Sequence, residues 1–482
     1  MKTRILPGFI FSLIFSTSLF AQSGNPFLSS QYWAANPSVE AIEDEIAKGH
    51  SVTESNSGGF DATTYAILGR APFETVKYLI DKGNDINKLT HDSRTYVFWA
   101  GYRGDLSLVK YLVESGAKMD LRDSHGYTVL LFTANGGHLT PEMGDYLLAN
   151  GASLENETTE SGANAFHLAS YRFNDVADVA YFTDKGLDIN TKDDVGNSIF
   201  YYAARSGNTQ LLNDFIDAGV SYKEKNNEGG NAFLSAVRNS NNSLAFFEYL
   251  AGLGIDPNVT TDDGYTPLHY LAYGADNTEA IEWFVQHGVN PNEVDKRSGN
   301  TPLMNATYYN DTMPVVEYFA ARTNNINHQN NDGHSALTRA IRRASAETTS
   351  YILALDADPL VLDKEGNNLY SFLVNSFDVD EEDTFVAKFE LLRESGLDVT
   401  ALQGDGKTLY HLAAENEHVT LFKLIAELTS IDVNAKDSDG YTALHHVAMK
   451  AKDDASLKYL ISIGADKSAT TEFEESPFDL AS

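Results

Sequence analysis

Val109-Lys110-Tyr111-Leu112-Val113-Glu114-Ser115-Gly116 is one instance of a phrase that recurs along most of this 482-residue chain. Ile281-Glu282-Trp283-Phe284-Val285-Gln286-His287-Gly288 and Leu457-Lys458-Tyr459-Leu460-Ile461-Ser462-Ile463-Gly464 are two more. In each, apolar residues fall at i, i+3 and i+4, which is one stripe of an α-helix. The final glycine stands just past the helix, where φ is positive and a Cβ would clash. The same glycine returns at Gly83, Gly151, Gly186, Gly219, Gly254 and Gly396, and the first seven are spaced 33 to 35 residues apart. A fixed period of that size predicts stacked repeats, each stabilised by its neighbours.

A second phrase interleaves with the first. Asp263-Gly264-Tyr265-Thr266-Pro267-Leu268-His269 is its fullest form, and Asp439-Gly440-Tyr441-Thr442-Ala443-Leu444-His445 nearly repeats it. Shorter versions are Gly126-Tyr127-Thr128, Gly299-Asn300-Thr301-Pro302-Leu303 and Gly406-Lys407-Thr408-Leu409-Tyr410-His411. Asp-Gly makes a tight turn. Thr caps the next helix, and Pro occupies its first position, where no N–H is needed. Leucine enters the core, and small pairs such as Ala203-Ala204 and Ala413-Ala414 let neighbouring helices approach.

These phrases make the chain resemble an ankyrin-repeat protein: turn, helix, turn, helix, with T-P-L-H-x-A as the signature. The resemblance implies an all-α repeat solenoid, elongated and curved, of about twelve repeats over residues 58–471. Residues 22–57 read as an N-terminal capping repeat, and 472–482 as a final first helix cut short. Thr323, Asp356 and Thr429 replace the helix-ending glycine, and the repeat from Asp363 is stretched.

Ahead of the repeats, Lys2 and Arg4 precede an apolar run from Ile5 to Phe20, and Ala21-Gln22 offers a cleavage point. This pattern predicts a secretory signal peptide over 1–21 and export, with the periplasm the expected destination and the extracellular space the alternative. The absence of cysteine agrees with an oxidising compartment. No other segment is apolar enough to span a bilayer, so no membrane insertion is expected after the leader is removed.

Lys plus Arg number 35 against 68 Asp plus Glu, a formal charge of −33. A chain this acidic repels phosphate backbones and anionic lipid, which excludes nucleic acid from the expected partners. Solubility of a long exposed stack accounts for most of the acid.

The basic residues are placed unevenly. The two positions after the small pair hold Tyr102-Arg103, Tyr171-Arg172, Arg205, Arg238, Tyr273, Tyr308-Tyr309 and Arg342-Arg343. Six of the thirteen arginines beyond the leader fall there. In the ankyrin pattern these positions end the first helix and face the concave side. Arg and Tyr concentrate binding energy at interfaces, and guanidinium groups take carboxylates bidentately. The stripe is therefore the candidate contact surface for a protein partner. Two bland origins stand beside it: a cation answers the dipole at a helix C-terminus, and tyrosines pack between repeats. The same stripe also suits a carbohydrate or a small acidic ligand. A host-directed effector is a third reading.

Other constellations point away from chemistry. His167, His269, His411 and His445 recur at the signature position and are expected to bond neighbouring turns rather than a metal. His445 and His446 point in different directions on a helix. The Asp437-Ser438-Asp439-Gly440 and Asn330-Asn331-Asp332-Gly333 turns lack the terminal bidentate acid of a calcium loop. The run Asp378 to Asp383 reads as a solvated loop between the helices of the stretched repeat. No nucleophile elbow or phosphate loop is present, so no enzyme and no cofactor is expected. The function predicted is partner binding, as a scaffold, adaptor or inhibitor.

Overall fold

The computed structural model describes residues 24–239, 242–276, 278–310, 312–416, 418–450 and 454–481. The leader read at 1–21 lies outside the described residues. The chain divides into two compact units, Met1–Glu160 and Ser161–Ser482. The first holds the helices α1 (Ser30–Ala34) and α2 (Val39–Ala47), α3 (Ala62–Leu68) and α4 (Phe73–Asp81), α5 (Tyr96–Tyr102) and α6 (Leu106–Glu114), and α7 (Val129–Asn135) and α8 (Pro141–Ala149).

The second unit opens with α9 (Ala165–Ala169) and α10 (Val176–Thr183), α11 (Ile199–Ala203) and α12 (Thr209–Asp217), and α13 (Ala232–Ala236) and α14 (Leu244–Gly252). Its middle holds α15 (Pro267–Gly274) and α16 (Glu279–Gln286), α17 (Pro302–Tyr309) and α18 (Met313–Ala320), and α19 (Ala336–Arg343) and α20 (Ala346–Ala354). It closes with α21 (Leu369–Asn375) and α22 (Glu382–Glu394), α23 (Leu409–Asn416) and α24 (Val419–Leu428), and α25 (Ala443–Lys450) and α26 (Ala455–Ser462). Among the described residues, β pairing is confined to three isolated bridges, Ser55–Asp61, Lys192–Ser198 and Lys436–Thr442. This is an all-α repeat solenoid.

First helices pack on first helices, as α15, α17 and α19 do, and second helices on second helices, as α14 and α16 do. First helices are short and buried nearly all round: α5 buries every residue from Tyr96 to Gly101. Second helices bury one stripe, such as Leu108, Val109 and Leu112 of α6. All nine glycines of the recurring phrase take positive φ, from 82° at Gly254 to 111° at Gly83. Around Gly116 there is open space, so backbone conformation rather than crowding demands glycine there. Asp356 adopts the same left-handed conformation with φ 60°, whereas Thr429 is extended at φ −136°.

Three devices join one repeat to the next. Adjacent turns share a backbone hydrogen bond, as from Lys296 N to Asp263 O and from Ser438 N to Asp405 O. The asparagine of the turn after a second helix bridges onward: Asn434 Nδ2 donates to Gly464 O at 3.0 Å while its Oδ1 accepts from Asp466 N at 2.7 Å. The signature histidines make the third link. His167 Nε2 donates to Thr191 O at 2.9 Å, His411 Nε2 to Tyr441 O at 3.0 Å, and His445 Nε2 to Glu475 O at 3.3 Å. At His269 the same nitrogen has no partner.

Two expectations change in detail. Val379–Glu381 form a 3-10 turn capped by Asp378, and Glu382 and Asp383 already open α22, where acids suit a helix N-terminus. The terminal segment is not a helix within the described residues but a single turn at 477–479. Ser476 and Asp479 close it reciprocally, with Ser476 Oγ donating to Asp479 Oδ2 at 2.6 Å, which is how a helix starts.

Candidate protein-binding surface

Each residue of the Tyr/Arg stripe lies at the C-terminal end of a first helix. Tyr102 ends α5 and Arg103 caps it. Tyr171 and Arg172 lie in the 3-10 turn after α9, and Arg205 in the one after α11. Arg238 follows α13, Tyr273 lies in the last turn of α15, Tyr308 and Tyr309 end α17, and Arg342 and Arg343 end α19. The small pair fixes this placement. Ala306 and Ala340 are fully buried against neighbouring first helices, so the residues two or three positions later emerge at the rim of the same face.

In the second unit the stripe gathers into three groups. Arg172 and Arg205 both lie 4.9 Å from the Tyr171 ring, one within its own repeat and one from the next. Arg238 pairs instead with Tyr270, 5.1 Å from ring centroid to guanidinium, and Nη2 donates to Tyr270 Oη at 3.3 Å. The third group is the largest. The rings of Tyr273 and Tyr309 lie 4.6 Å apart across two repeats, and those of Tyr308 and Tyr309 4.7 Å apart. Arg342 and Arg343 approach Tyr308 at 5.6 and 5.4 Å. Tyr309 remains 53% exposed, a large aromatic held in place yet open to solvent.

Under this third group lies Arg339, which pattern reading left out. Its side chain is buried, its Nε donates to Met304 O at 2.7 Å, and its guanidinium sits 4.4 Å from the Tyr308 ring. Burial lowers the pKa of Arg339 and raises that of Tyr273 to about 12. Tyr270 was missed in the same way. Both precede a chosen residue by three positions, Arg339 before Arg342 and Tyr270 before Tyr273, so the helical i, i+3 relation was the available signal.

The first unit contributes one pair. Tyr102 stacks on Phe132 at 4.8 Å, and Arg103 has a buried Nε without a partner. Burial and the like charge of Arg70 lower the Arg103 pKa. These two residues form a local packing feature of that unit.

Several cations outside the stripe pair with carboxylates, although among the described residues Arg70, Arg122 and Arg297 do not. Arg94 pairs with Asp92 and Asp123, Arg322 with Glu282, Arg393 with Glu390, and Lys407 with Asp405 and Glu415. Among the described residues, Arg172, Arg205, Arg238, Arg342 and Arg343 have no carboxylate partner, in a chain of net charge −33. Four of the five share a tyrosine ring with another arginine, Arg172 and Arg205 on Tyr171 and Arg342 and Arg343 on Tyr308, and all five are exposed. Cations over ring faces keep their charge available to a third party.

The histidine and acid clusters behave as structural parts. The turn carboxylate or amide accepts two backbone N–H groups: Asp437 Oδ1 from Asp439 and Tyr441, and Asn330 Oδ1 from Asp332 and His334. Burial lowers the pKa values of His167, His269, His411 and His445 and favours the neutral ring, and His167, His411 and His445 serve as donor–acceptor links to the next turn. Among the described residues one group has the make-up of a metal set, His411, Asp437 and His446. His446 there faces the neighbouring repeat's His411, a juxtaposition that the period alone did not reveal.

The family described as ankyrin repeats (3 copies) matches residues 97–193, 166–261, 200–295, 268–363 and 380–471. The chain belongs to the ankyrin-repeat family. Ankyrin repeats are generally protein–protein interaction scaffolds, and the family is typically non-enzymatic. The human SH3 and multiple ankyrin repeat domains protein 2 is 26% identical over 204 residues, covering 42% of this chain and 10% of that protein. Palmitoyltransferase AKR1 of Lachancea kluyveri is 26% identical over 214 residues, covering 42% of this chain and 28% of that protein. The ankyrin-repeat chain thus spans well under half the length of these relatives. A chain in the complex of a predatory endopeptidase of Bdellovibrio bacteriovorus with an immunity protein is 18% identical with a TM-score of 0.33, covering 41% of this chain and 99% of that one. No helix among the described residues is long and apolar enough to cross a membrane.

Proposed function

We propose that this ankyrin-repeat chain is an exported, non-catalytic scaffold or adaptor that grips another protein through the face formed by the ends of its first helices. The observation that carries this reading is the set of exposed arginines left without carboxylate partners over tyrosine rings, in a chain with an excess of carboxylates. A partner suited to that face carries Asp or Glu for the guanidinium groups and apolar area for Tyr309 and Tyr273. Bidentate arginine–carboxylate pairs would supply orientation and the tyrosines contact area. The basic and apolar leader at 1–21 supports export to the periplasm.

The test is quantitative capture from an envelope extract, comparing the unmodified chain with Arg342→Ala/Arg343→Ala, Arg172→Ala/Arg205→Ala, Tyr309→Ala and the control Lys458→Ala. One protein should be enriched by the unmodified chain and the control, and lost with the stripe variants. Recovery unchanged in all three stripe variants would refute this surface. Cell fractionation with N-terminal sequencing tests export, with a start near Gln22 expected and a retained Met1 counting against it.

A further inference from the structure

Between α23 and α25, three side chains with metal-binding atoms converge. The ring nitrogens of His411 and His446 and a carboxylate oxygen of Asp437 all lie within 4.8 Å of one another. His411 and Asp437 are buried and His446 is half-buried. Asp437 is aimed: its Oδ1 accepts from Asp439 N at 3.1 Å and Tyr441 N at 2.9 Å, which leaves Oδ2 facing His446 Nε2 at 2.6 Å. The His411 ring closes the group, 5.6 Å from the His446 ring.

The chain contains the same strut a second time with different chemistry. Nine residues after Asp193 stands Tyr202, as His446 stands nine after Asp437. Tyr202 Oη donates to Asp193 Oδ2 at 2.6 Å, and its ring lies 5.3 Å from that of His167. A hydroxyl donor therefore satisfies this position in the stack. Histidine at 446 adds a nitrogen lone pair beside a second imidazole and an oriented carboxylate.

We infer that His411, Asp437 and His446 form a binding site for a first-row divalent cation, zinc above all, joining α23 to α25. Two imidazoles and one carboxylate are borderline donors that suit zinc, with water in the fourth position. Bond lengths of about 2.0–2.1 Å put tetrahedral ligand atoms about 3.3 Å apart. The His446–Asp437 pair must open from 2.6 Å, and the widest pair must draw in from no more than 4.8 Å. The cation takes the place of the Nε2 proton that His446 donates to Asp437, and that proton moves to His446 Nδ1 or, from an imidazolium that already holds one there, leaves to solvent. At His411 the Nε2 proton, now donated to Tyr441 O, moves to Nδ1; Thr408 Oγ1 at 2.8 Å turns from donor to acceptor, and Thr408 N, 3.1 Å away, gives up its bond to that nitrogen. A ligating histidine whose other nitrogen is held in this way is oriented for the metal.

The test uses the full chain freed of metal with a chelator, titrated calorimetrically with Zn2+ and followed by visible absorption with Co2+. One equivalent should bind, with the bands of a tetrahedral cobalt complex. His446→Tyr should weaken binding by roughly a hundredfold or more, while folding as the parent does, since Tyr202 occupies that register. Asp437→Asn is the second variant. Asn330 already holds the same turn through Asp332 N and His334 N, so the turn survives and affinity should fall by about tenfold or more. Absence of Zn2+ binding by the parent chain, or equal binding by both variants, would overturn the site.

Discussion

Gly101→Ala pits a local gain against a packing loss. Gly101 lies inside α5, and alanine in a helix interior is favoured over glycine by about 1 kcal/mol. A Cβ built there would stand 2.2 Å from Thr133 Oγ1 on α7, far inside contact distance. Thr133 is fully buried, and its hydroxyl donates to Val129 O at 2.7 Å. Its β-branched side chain is stiff at χ1, so turning the oxygen away breaks that bond and meets packed neighbours. Overpacking of this kind costs about 1–3 kcal/mol, and the lost hydrogen bond about 1 kcal/mol more. The variant should therefore be destabilised by about 1–3 kcal/mol net of the helix gain. Thr133→Ala removes the offending oxygen, so Gly101→Ala/Thr133→Ala should recover most of the loss, a coupling of about 1–3 kcal/mol. Denaturant unfolding monitored by far-UV dichroism, with amide exchange in α5, measures the cycle. A Gly101→Ala single variant more stable than the parent, or a coupling below about 0.5 kcal/mol, would refute the close approach of α5 and α7.

Two further outcomes follow from the repeat geometry. Asp356→Gly should raise stability by roughly 0.5 kcal/mol, because a left-handed φ of 60° strains an L-residue more than glycine loses in chain entropy; a lowered thermal midpoint would count against it. The histidine links predict acid sensitivity above the carboxylate range: burial depresses the folded pKa values of His167, His269, His411 and His445, so both states are neutral above about pH 6.5, and below it the unfolded chain takes up protons that the folded chain refuses. Their contribution is thus intact at pH 7.5 and lost progressively as pH falls from about 6.5 through the lower folded values. Thermal midpoints at constant ionic strength should drop between pH 7.5 and 5.5, and a rise over that interval would contradict the buried neutral rings.

Legibility followed the range of the interaction. The helix-ending glycines were readable because a positive φ is a demand on one residue, met at Gly83 and Gly464 alike. So were the turns, where Asp437 binds backbone only two and four residues on. The partners of the stripe were less readable, because they lie a repeat away. Arg205 meets the ring of Tyr171, and Tyr273 that of Tyr309, pairs that periodicity places near one another without saying which side chain turns which way. Arg339 was missed because its position looks interior, and it is interior; it supports Tyr308 from below through Met304 O and the ring face. The Asn434 bridge to Gly464 and Asp466 was also hidden, since the same residue reads locally as part of a turn.

The dipole of a helix C-terminus explains a cation after each first helix, and ring stacking explains tyrosines between repeats. Neither explains the absence of carboxylates. In a chain with 68 acids and 35 bases, a surface arginine can meet a carboxylate with little effort, as Arg322 and Arg393 do. Dipole and packing would be served as well by a stripe neutralised in this way. Keeping Arg172, Arg205, Arg342 and Arg343 over tyrosine faces retains their charge while holding their positions. A row of held and unneutralised guanidinium groups lowers the ordering cost of meeting an acidic protein surface, and that property is the one on which the proposed binding face rests.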